Sequence, residues 1–492
     1  MKYDRSELLI GGDWRGEGTG WIPVISPATE HVVTEVRRAE TADIDLAVTK
    51  ARAALESGPW PRMSRSERAE LILSAVRQLA QSTDDIATVV THEMGAPFAD
   101  LLKYQIPAAL ATAKAFVRFC ADVAEQKTRK GRQGWALIEQ EPVGVVGAIT
   151  PWNAPFYFSI LKVIPALLAG CTVVLKPAEE TPVSAFYLGE ALYAAGLPEG
   201  VLSIVPGGST IGKYLVAHSG IDKVSFTGST SAGREIGAVC GRQLKRSSLE
   251  LGGKSAAIVL EDADLGVAIQ SMSAGVFYNT GQVCAALSRV LAPVKRYREV
   301  VDSLSIAANQ LRVGDPFDPA TDVGPLVSSR QRDRVEGYLA LAEAEGAVLE
   351  TGGHRPPDIG HGYYMQPTVY SGVTNDMRIA REEIFGPVVV VIPYDSVDEA
   401  VGIANDSIYG LHGGVYTSDP KTGVDVARRL ITGAVSVNSF TLNSDAPFGG
   451  RKCSGYGREF GPEGIAEYLE YKTINVPEFV IEEVASAGHT GV

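Results

Sequence analysis

The stretch Val143-Gly144-Val145-Val146-Gly147-Ala148-Ile149-Thr150-Pro151-Trp152-Asn153 is a short apolar run stopped by a proline, and a helical pattern follows it to about Ala169. Continuous apolar runs of this length, alternating with helices, are the mark of parallel strands buried on both faces. The alternation continues. Thr172–Leu175 reads as the next strand, and Thr181 and Pro182 read as the cap and first residue of a helix that Gly196 stops. Strands at 201–205, 224–227 and 247–251 complete the series. A doubly wound α/β sheet is therefore expected, with its ligands at the carboxyl ends of the strands.

Working outward, residues 7–50 read as short strands and turns, and 41–120 as helices broken at Pro61 and Pro97. Glu125–Glu141 is a basic stretch carrying the strand-like Trp135-Ala136-Leu137-Ile138, which suits either a solvated hairpin or an edge that meets another subunit. A second α/β region follows Ala256, with helices near 265–277, 297–311 and 330–344 and strands near 387–392 and 434–437. The tail from Tyr468 to Val476 is strand-like and stops at Pro477, before a Ser-Ala-Gly run.

With 492 residues the chain is too long for one ordinary core. Its net charge of −13 argues against nucleic acid or an anionic membrane as the main partner. Met1–Ile10 mixes charges with its apolar residues, unlike a signal peptide, and Phe156–Ala169 is too short to span a bilayer, so a cytoplasmic location is expected. Five scattered cysteines without a CxxC pair, and no HExxH, disfavour disulfides and a metal site.

The motifs fall at strand ends. Gly281-Gln282-Val283-Cys284 sets a thiol in a small-residue turn, and such a thiol needs an electropositive, accessible pocket to react. Glu250, in Leu249-Glu250-Leu251-Gly252-Gly253-Lys254, is a candidate partner. Phe226-Thr227-Gly228-Ser229-Thr230 is a strand, a glycine turn and a helix start, suited to a pyrophosphate without a lysine cluster. In Lys176-Pro177-Ala178-Glu179 the lysine can bond ribose hydroxyls, while the glutamate would accept from a ribose diol and repel a 2′-phosphate, favouring NAD over NADP. Asn153 can donate to an oxyanion, and Glu383 and Phe385 can hold a ribose and pack on a nicotinamide. GxGxxG is absent. Gly207–Lys213 and Gly253-Lys254-Ser255 only approximate a P-loop, which disfavours an ATPase. Each motif also has a plain reading as a turn, a surface ion pair or a core residue.

Taken in order, PWN at 151, KPAE at 176, FTGS at 226, LELGGK at 249, GQVC at 281, EEIFGPV at 382 and PFGGRKCSGYGRE at 447 resemble the aldehyde dehydrogenase superfamily from about Leu8 to Val476. The resemblance implies an NAD-binding domain at 1–123 and 143–253, a catalytic domain at 254–467, and bridging segments at 124–142 and 468–492 that favour a homodimer or homotetramer. It implies Cys284 as nucleophile, Glu250 as general base, Asn153 with the Cys284 N–H as oxyanion hole, and Lys162 and Glu459 as a proton relay. Cofactor contacts are implied for Ile149, Thr150, Trp152, Lys176, Glu179, Gly207, Phe226, Gly228, Ser229, Leu251, Glu383 and Phe385. Phe156, Phe158, Leu161, Tyr278, Phe440 and Phe448 would line the substrate tunnel, pointing to an apolar or aromatic aldehyde. Acyl transfer to coenzyme A and a non-catalytic binding role are the alternatives, and the retained Glu250 and Cys284 speak against them.

Overall fold

A computed structural model describes residues 7–122 and 126–481. The ends of the chain and the link at 123–125, which fall within the expected N-terminal, bridging and tail segments, lie outside the described residues.

The apolar runs form two largely parallel sheets. In the first, the order is 455–456, 246–250, 223–227, 145–149, 172–176, 202–204, 8–10 and 13–15. Strands Val145–Ile149, Thr172–Lys176 and Lys223–Thr227 are buried at every position, because helices cover both faces. The chain lays 145–149, 172–176 and 202–204 outward in one direction, then returns to place 223–227 on the other side of 145–149. The order therefore reverses beside Val145–Ile149, and a crevice opens at the carboxyl ends there. Register aligns those ends: Ile149 pairs with Lys176 and with Phe226, and Thr227 pairs with Glu250.

The second sheet runs 348–351, 368–371, 388–394, 289–293, 256–259, 413–416 and 436–437, parallel except at its first edge. Gly455–Tyr456 crosses the expected division at residue 254, returning to pair antiparallel with Leu249–Glu250. That return places Glu459 beside the first sheet. The basic hairpin Gln126–Gly131 and Gly134–Pro142 is real, and the tail strand Leu469–Val476 adds to it in register from Leu469 opposite Pro142 to Val476 opposite Trp135. Among the described residues no helix is long and apolar enough to cross a membrane.

One local expectation fails. The helix expected at Thr181-Pro182 starts at Ser184, and no side chain of its own caps it. Its first N–H groups are satisfied from a distant element: the buried Glu93 carboxylate accepts from Val183 N at 2.8 Å and Ser184 N at 3.3 Å. Thr181 Oγ1 instead donates to the carbonyl of Trp152 at 3.4 Å. A cap supplied across the fold has no local signature. Burial pushes the Glu93 carboxyl up to about 7. Because the folded value lies above the usual one, stability contributed by this group is complete below about pH 4.5 and lost as pH rises through about 7. Glu93→Ala should cost about 2 kcal/mol by orphaning buried N–H groups. Glu93→Gln should keep an acceptor and flatten the decline between those pH values, as denaturant titrations across pH will show.

Candidate active site

Cys284 sits on a turn that the backbone adopts only under constraint. Asn279, Thr280 and Gly281 are successively left-handed, with φ of 54°, 58° and 70°, a conformation that costs each side-chain-bearing residue about 1–2 kcal/mol. Polar side chains hold the turn. Asn279 Nδ2 donates to the Asn153 carbonyl at 2.8 Å, Gln282 Nε2 donates to the Asn279 carbonyl at 3.1 Å, Thr280 Oγ1 donates to the Gly324 carbonyl at 3.0 Å, and Gln282 Oε1 accepts from Val327 N at 3.0 Å. Gly281 has no substitute here, because a Cβ would lie 2.1 Å from the Gly386 carbonyl oxygen. The small-residue turn is thus a rigid mount that bonds the thiol's segment to the Pro151-Trp152-Asn153 strand end.

A cavity of about 380 Å³ opens in front of Cys284. Trp152, Asn153, Phe158, Gly228, Ser229, Leu251, Glu383 and Phe385 line it, all of them expected from the sequence. Asn153 Nδ2 donates to the Gln282 carbonyl at 2.8 Å, which leaves its second N–H for the cavity. Ser229 caps the helix Thr230–Gln243 by accepting from Ala232 N at 3.2 Å, so a helix N-terminus faces the cavity wall. Phe385, with φ of 64°, stands edge-on to Trp152 with ring centroids 5.2 Å apart. Glu383 accepts from Gly253 N at 3.0 Å, and burial pushes its carboxyl up to about 7.

The thiol's surroundings correct the expectation of an electropositive pocket. Burial, followed by the carboxylates of Glu383, Glu250 and Glu459, pushes Cys284 up to about 12, so the thiol is protonated in the protein alone. Glu250 is buried with neither carboxylate oxygen hydrogen-bonded. Burial, then the neighbouring Glu459, holds its carboxyl well above the usual range. A basic carboxylate without a partner is what a general base requires. Lys162 is fully buried and bonds Glu459 Oε1 at 2.9 Å and Ser225 Oγ at 3.2 Å, linking the helix Pro155–Ala169 to the returning segment behind Glu250.

Other expected residues lie elsewhere. Lys176, expected to bond a ribose, is not in the exposed ion pair of its plain reading: it is buried, pushed down to about 8, and donates to the carbonyls of Pro177 at 2.9 Å and Gly207 at 2.6 Å. Glu179 stands 3.6 Å from Arg38 and is packed against Gly208. Thr150 is buried with its hydroxyl unpartnered, and Ile149 and Phe226 are core residues, the ring of Phe226 lying under Gly228. Of the six proposed tunnel residues only Phe158 lines the Cys284 cavity. Phe156, Leu161 and Phe448 belong to the apolar core. The helix Pro155–Ala169 is buried nearly all round, so its sequence does not tell which face looks into the site. Tyr278 lines a separate groove of about 650 Å³, and Phe440 stacks edge-on to His412 at 5.6 Å.

Sequence reasoning missed Arg330, Gln331 and Arg334, which line the cavity from the helix Ser329–Ala344. Gln331 Nε2 donates to the Phe385 carbonyl at 2.8 Å, and Arg334 donates to the Glu383 carbonyl, so this helix fixes the Glu383–Phe385 turn. On the sequence it reads as an ordinary charged helix, and no signal marks it.

The chemistry of these groups suits a dinucleotide: an open glycine turn at a helix N-terminus, the Lys176 ammonium and Glu179 carboxylate at the end of one strand, and an aromatic clamp. A Cβ on Gly252 would come within 2.3 Å of the Glu383 carboxylate, so that glycine keeps the cradle open. Comparison with known proteins points the same way. The aldehyde dehydrogenase family profile matches residues 14–474. The chain is 43% identical to geranial dehydrogenase of Castellaniella defragrans, over 96% of this chain and 99% of that protein. It is 40% identical to human retinal dehydrogenase 2, over 97% and 92% respectively. An aldehyde dehydrogenase of Mycobacterium tuberculosis, solved in complex with NAD+, superposes with a TM-score of 0.95 at 45% identity, covering 96% of this chain and 98% of that one. The chain belongs to the aldehyde dehydrogenase family.

Proposed function

We propose that the protein oxidises an extended, mainly apolar aldehyde to its carboxylic acid with NAD, through a thioester on Cys284 that water hydrolyses. The observation that carries this reading is the single cavity in which Cys284 faces Asn153 and Phe158, with the unpartnered Glu250 carboxylate close enough to raise the thiol. The names of the geranial and retinal relatives agree with an apolar substrate.

Cys284 Sγ attacks the carbonyl carbon as its proton passes to a base, and the resulting oxyanion takes hydrogen bonds from Asn153 Nδ2 and the Cys284 N–H. A tetrahedral adduct can release a hydride, which a bare aldehyde does poorly. Bound NAD supplies the hydride acceptor and the positive charge of its nicotinamide ring. Gly228 and Ser229 with the helix N-terminus hold its pyrophosphate, Lys176 and Glu179 its adenosine ribose, and Glu383 and Phe385 its nicotinamide end. Glu250 then takes a proton from water, whose hydroxide attacks the thioester and releases the acid and the Cys284 thiolate. Lys162 and Glu459 carry the proton onward from Glu250. In this reading 1–123 and 143–253 bind the cofactor, 254–467 carry the thiol, and the three-stranded sheet around Leu469–Val476, with its exposed face and free edges, joins subunits into a homodimer or homotetramer in the cytoplasm.

The test is NADH or NADPH formation on a panel of aldehydes, with and without coenzyme A. Oxidation with NAD and no need for coenzyme A is expected. A strict coenzyme A requirement would sink the hydrolytic reading, and a strong NADP preference would sink the role of Glu179.

A further inference from the structure

The fold delivers a guanidinium to Glu179 from far away in the chain. Arg38 lies between the strand Val32–Arg37 and the helix Thr41–Glu56. The backbone there is pinned on both sides: Arg38 N donates to the Gly20 carbonyl at 2.8 Å, and Ala39 N donates to the Pro206 carbonyl at 2.8 Å. Pro206, Gly207 and Gly208 join the strand Leu202–Ile204 to the helix Ser209–Ala217. The same three residues receive the other two charged groups of this corner. Lys176 Nζ donates to the Gly207 carbonyl at 2.6 Å, and the Glu179 carboxylate lies so close to Gly208 that a Cβ there would be 2.6 Å from Oε2.

Arg38 Nη2 stands 3.6 Å from Glu179 Oε1, and the two side chains are 49% and 38% exposed. This is an ion pair without a hydrogen bond, and exposed pairs of that kind hold their members weakly. The nearest acids along the chain are engaged elsewhere. Glu40 Oε1 accepts from Thr19 N and Thr19 Oγ1, and Asp43 pairs with Arg37 at 3.1 Å. A carboxylate that accepts from a ribose diol disfavours a 2′-phosphate, whereas an arginine beside it accommodates one. A guanidinium that comes within 3.6 Å of the group meant for the diol is also within reach of a phosphate esterified to that diol. A phosphate offers it the short, paired, charge-assisted bonds that Glu179 at this distance does not.

We propose that Arg38 is a specificity-determining residue that binds the 2′-phosphate of NADP, so that the protein takes NADP as a second, weaker hydride acceptor beside NAD. With NAD, Arg38 stays paired to Glu179. With NADP, it turns from the carboxylate to the phosphate and offsets the repulsion between the two. The inference rests on the assignment of Glu179 to the adenosine ribose.

The experiment measures Kd for NAD and for NADP by calorimetry without aldehyde, and kcat/KM for each with one aldehyde, in the wild type, Arg38→Gln, Glu179→Gln and the double variant. The wild type should bind NADP measurably, though more weakly than NAD. Arg38→Gln should weaken NADP by about tenfold or more, the weight of a hydrogen bond to a charged group, and change NAD by less than about twofold. Glu179→Gln removes the repelling charge and should shift the ratio toward NADP by about tenfold, and adding Arg38→Gln should cancel most of that gain. NAD binding in the same titrations reports that the variants are folded. A Kd ratio that Arg38→Gln leaves unchanged while Glu179→Gln moves it overturns the proposal and spares the ribose assignment. So does a failure of both the wild type and Glu179→Gln to bind NADP while both bind NAD. If Glu179→Gln moves neither cofactor, the ribose assignment itself fails and this inference falls with it.

Discussion

Cys284→Ala is expected to lower the rate of NADH formation by about 10⁴-fold or more, as removal of a covalent nucleophile does elsewhere. The loss should be this large because no other thiol can replace it. Cys120, Cys171 and Cys240 are buried, and Cys453 is turned toward Arg234, whose guanidinium donates to its sulfur at 3.3 Å. The substitution removes no hydrogen bond that holds the turn, since Asn279, Thr280 and Gln282 carry those. NAD binding, followed by fluorescence or calorimetry, should therefore persist while turnover is lost. Intact-protein mass spectrometry after mixing with aldehyde and NAD should show an acyl adduct on the wild type and none on the variant. Turnover within about tenfold of the wild type would remove Cys284 from the mechanism.

Glu250→Gln separates the two halves of the reaction. The amide keeps the shape of the side chain but cannot take a proton, so acylation should proceed and hydrolysis should stall. Rapid mixing should then show a burst of about one NADH per active site, followed by a steady rate lower by about 10²- to 10⁴-fold, the usual worth of a general base. The pH dependence has a definite sign. Burial and the neighbouring Glu459 raise the Glu250 carboxyl, so lowering the pH protonates the base within a range where ordinary carboxylates stay ionised. The wild-type steady-state rate should climb with pH through that raised value, and the slow phase of the variant should lose the climb. An unchanged steady-state rate in Glu250→Gln would exclude it as the base.

Much of this protein is legible along the chain. The buried runs at 145–149, 172–176 and 223–227 have no polar face, so they require helices on both sides and hence a parallel sheet. Parallel strands put their turns at one end, which is why Asn153, Lys176, Gly228 and Glu250 could be placed together before any coordinates. What depended on side-chain direction was less readable. Phe156 and Phe158 are two residues apart on one apolar helix, yet only the second reaches the cavity.

The sequence by itself determined the two-sheet architecture, because periodicity and glycine turns are local properties of the backbone, and its family motifs marked Cys284, Glu250 and Asn153 as the candidate thiol, base and amide. Only the tertiary structure decided the electrostatics and the supports. Glu383, Glu250 and Glu459 are separated by as many as 209 residues along the chain, and folding alone brings their charges to bear on one half-buried sulfur and raises its pKa. The Glu93 cap on a remote helix and the grip of Gln331 and Arg334 on the Phe385 turn likewise arise from contacts across the fold. Burial and proximity set the strength of such interactions, and neither is a property of any short stretch of sequence.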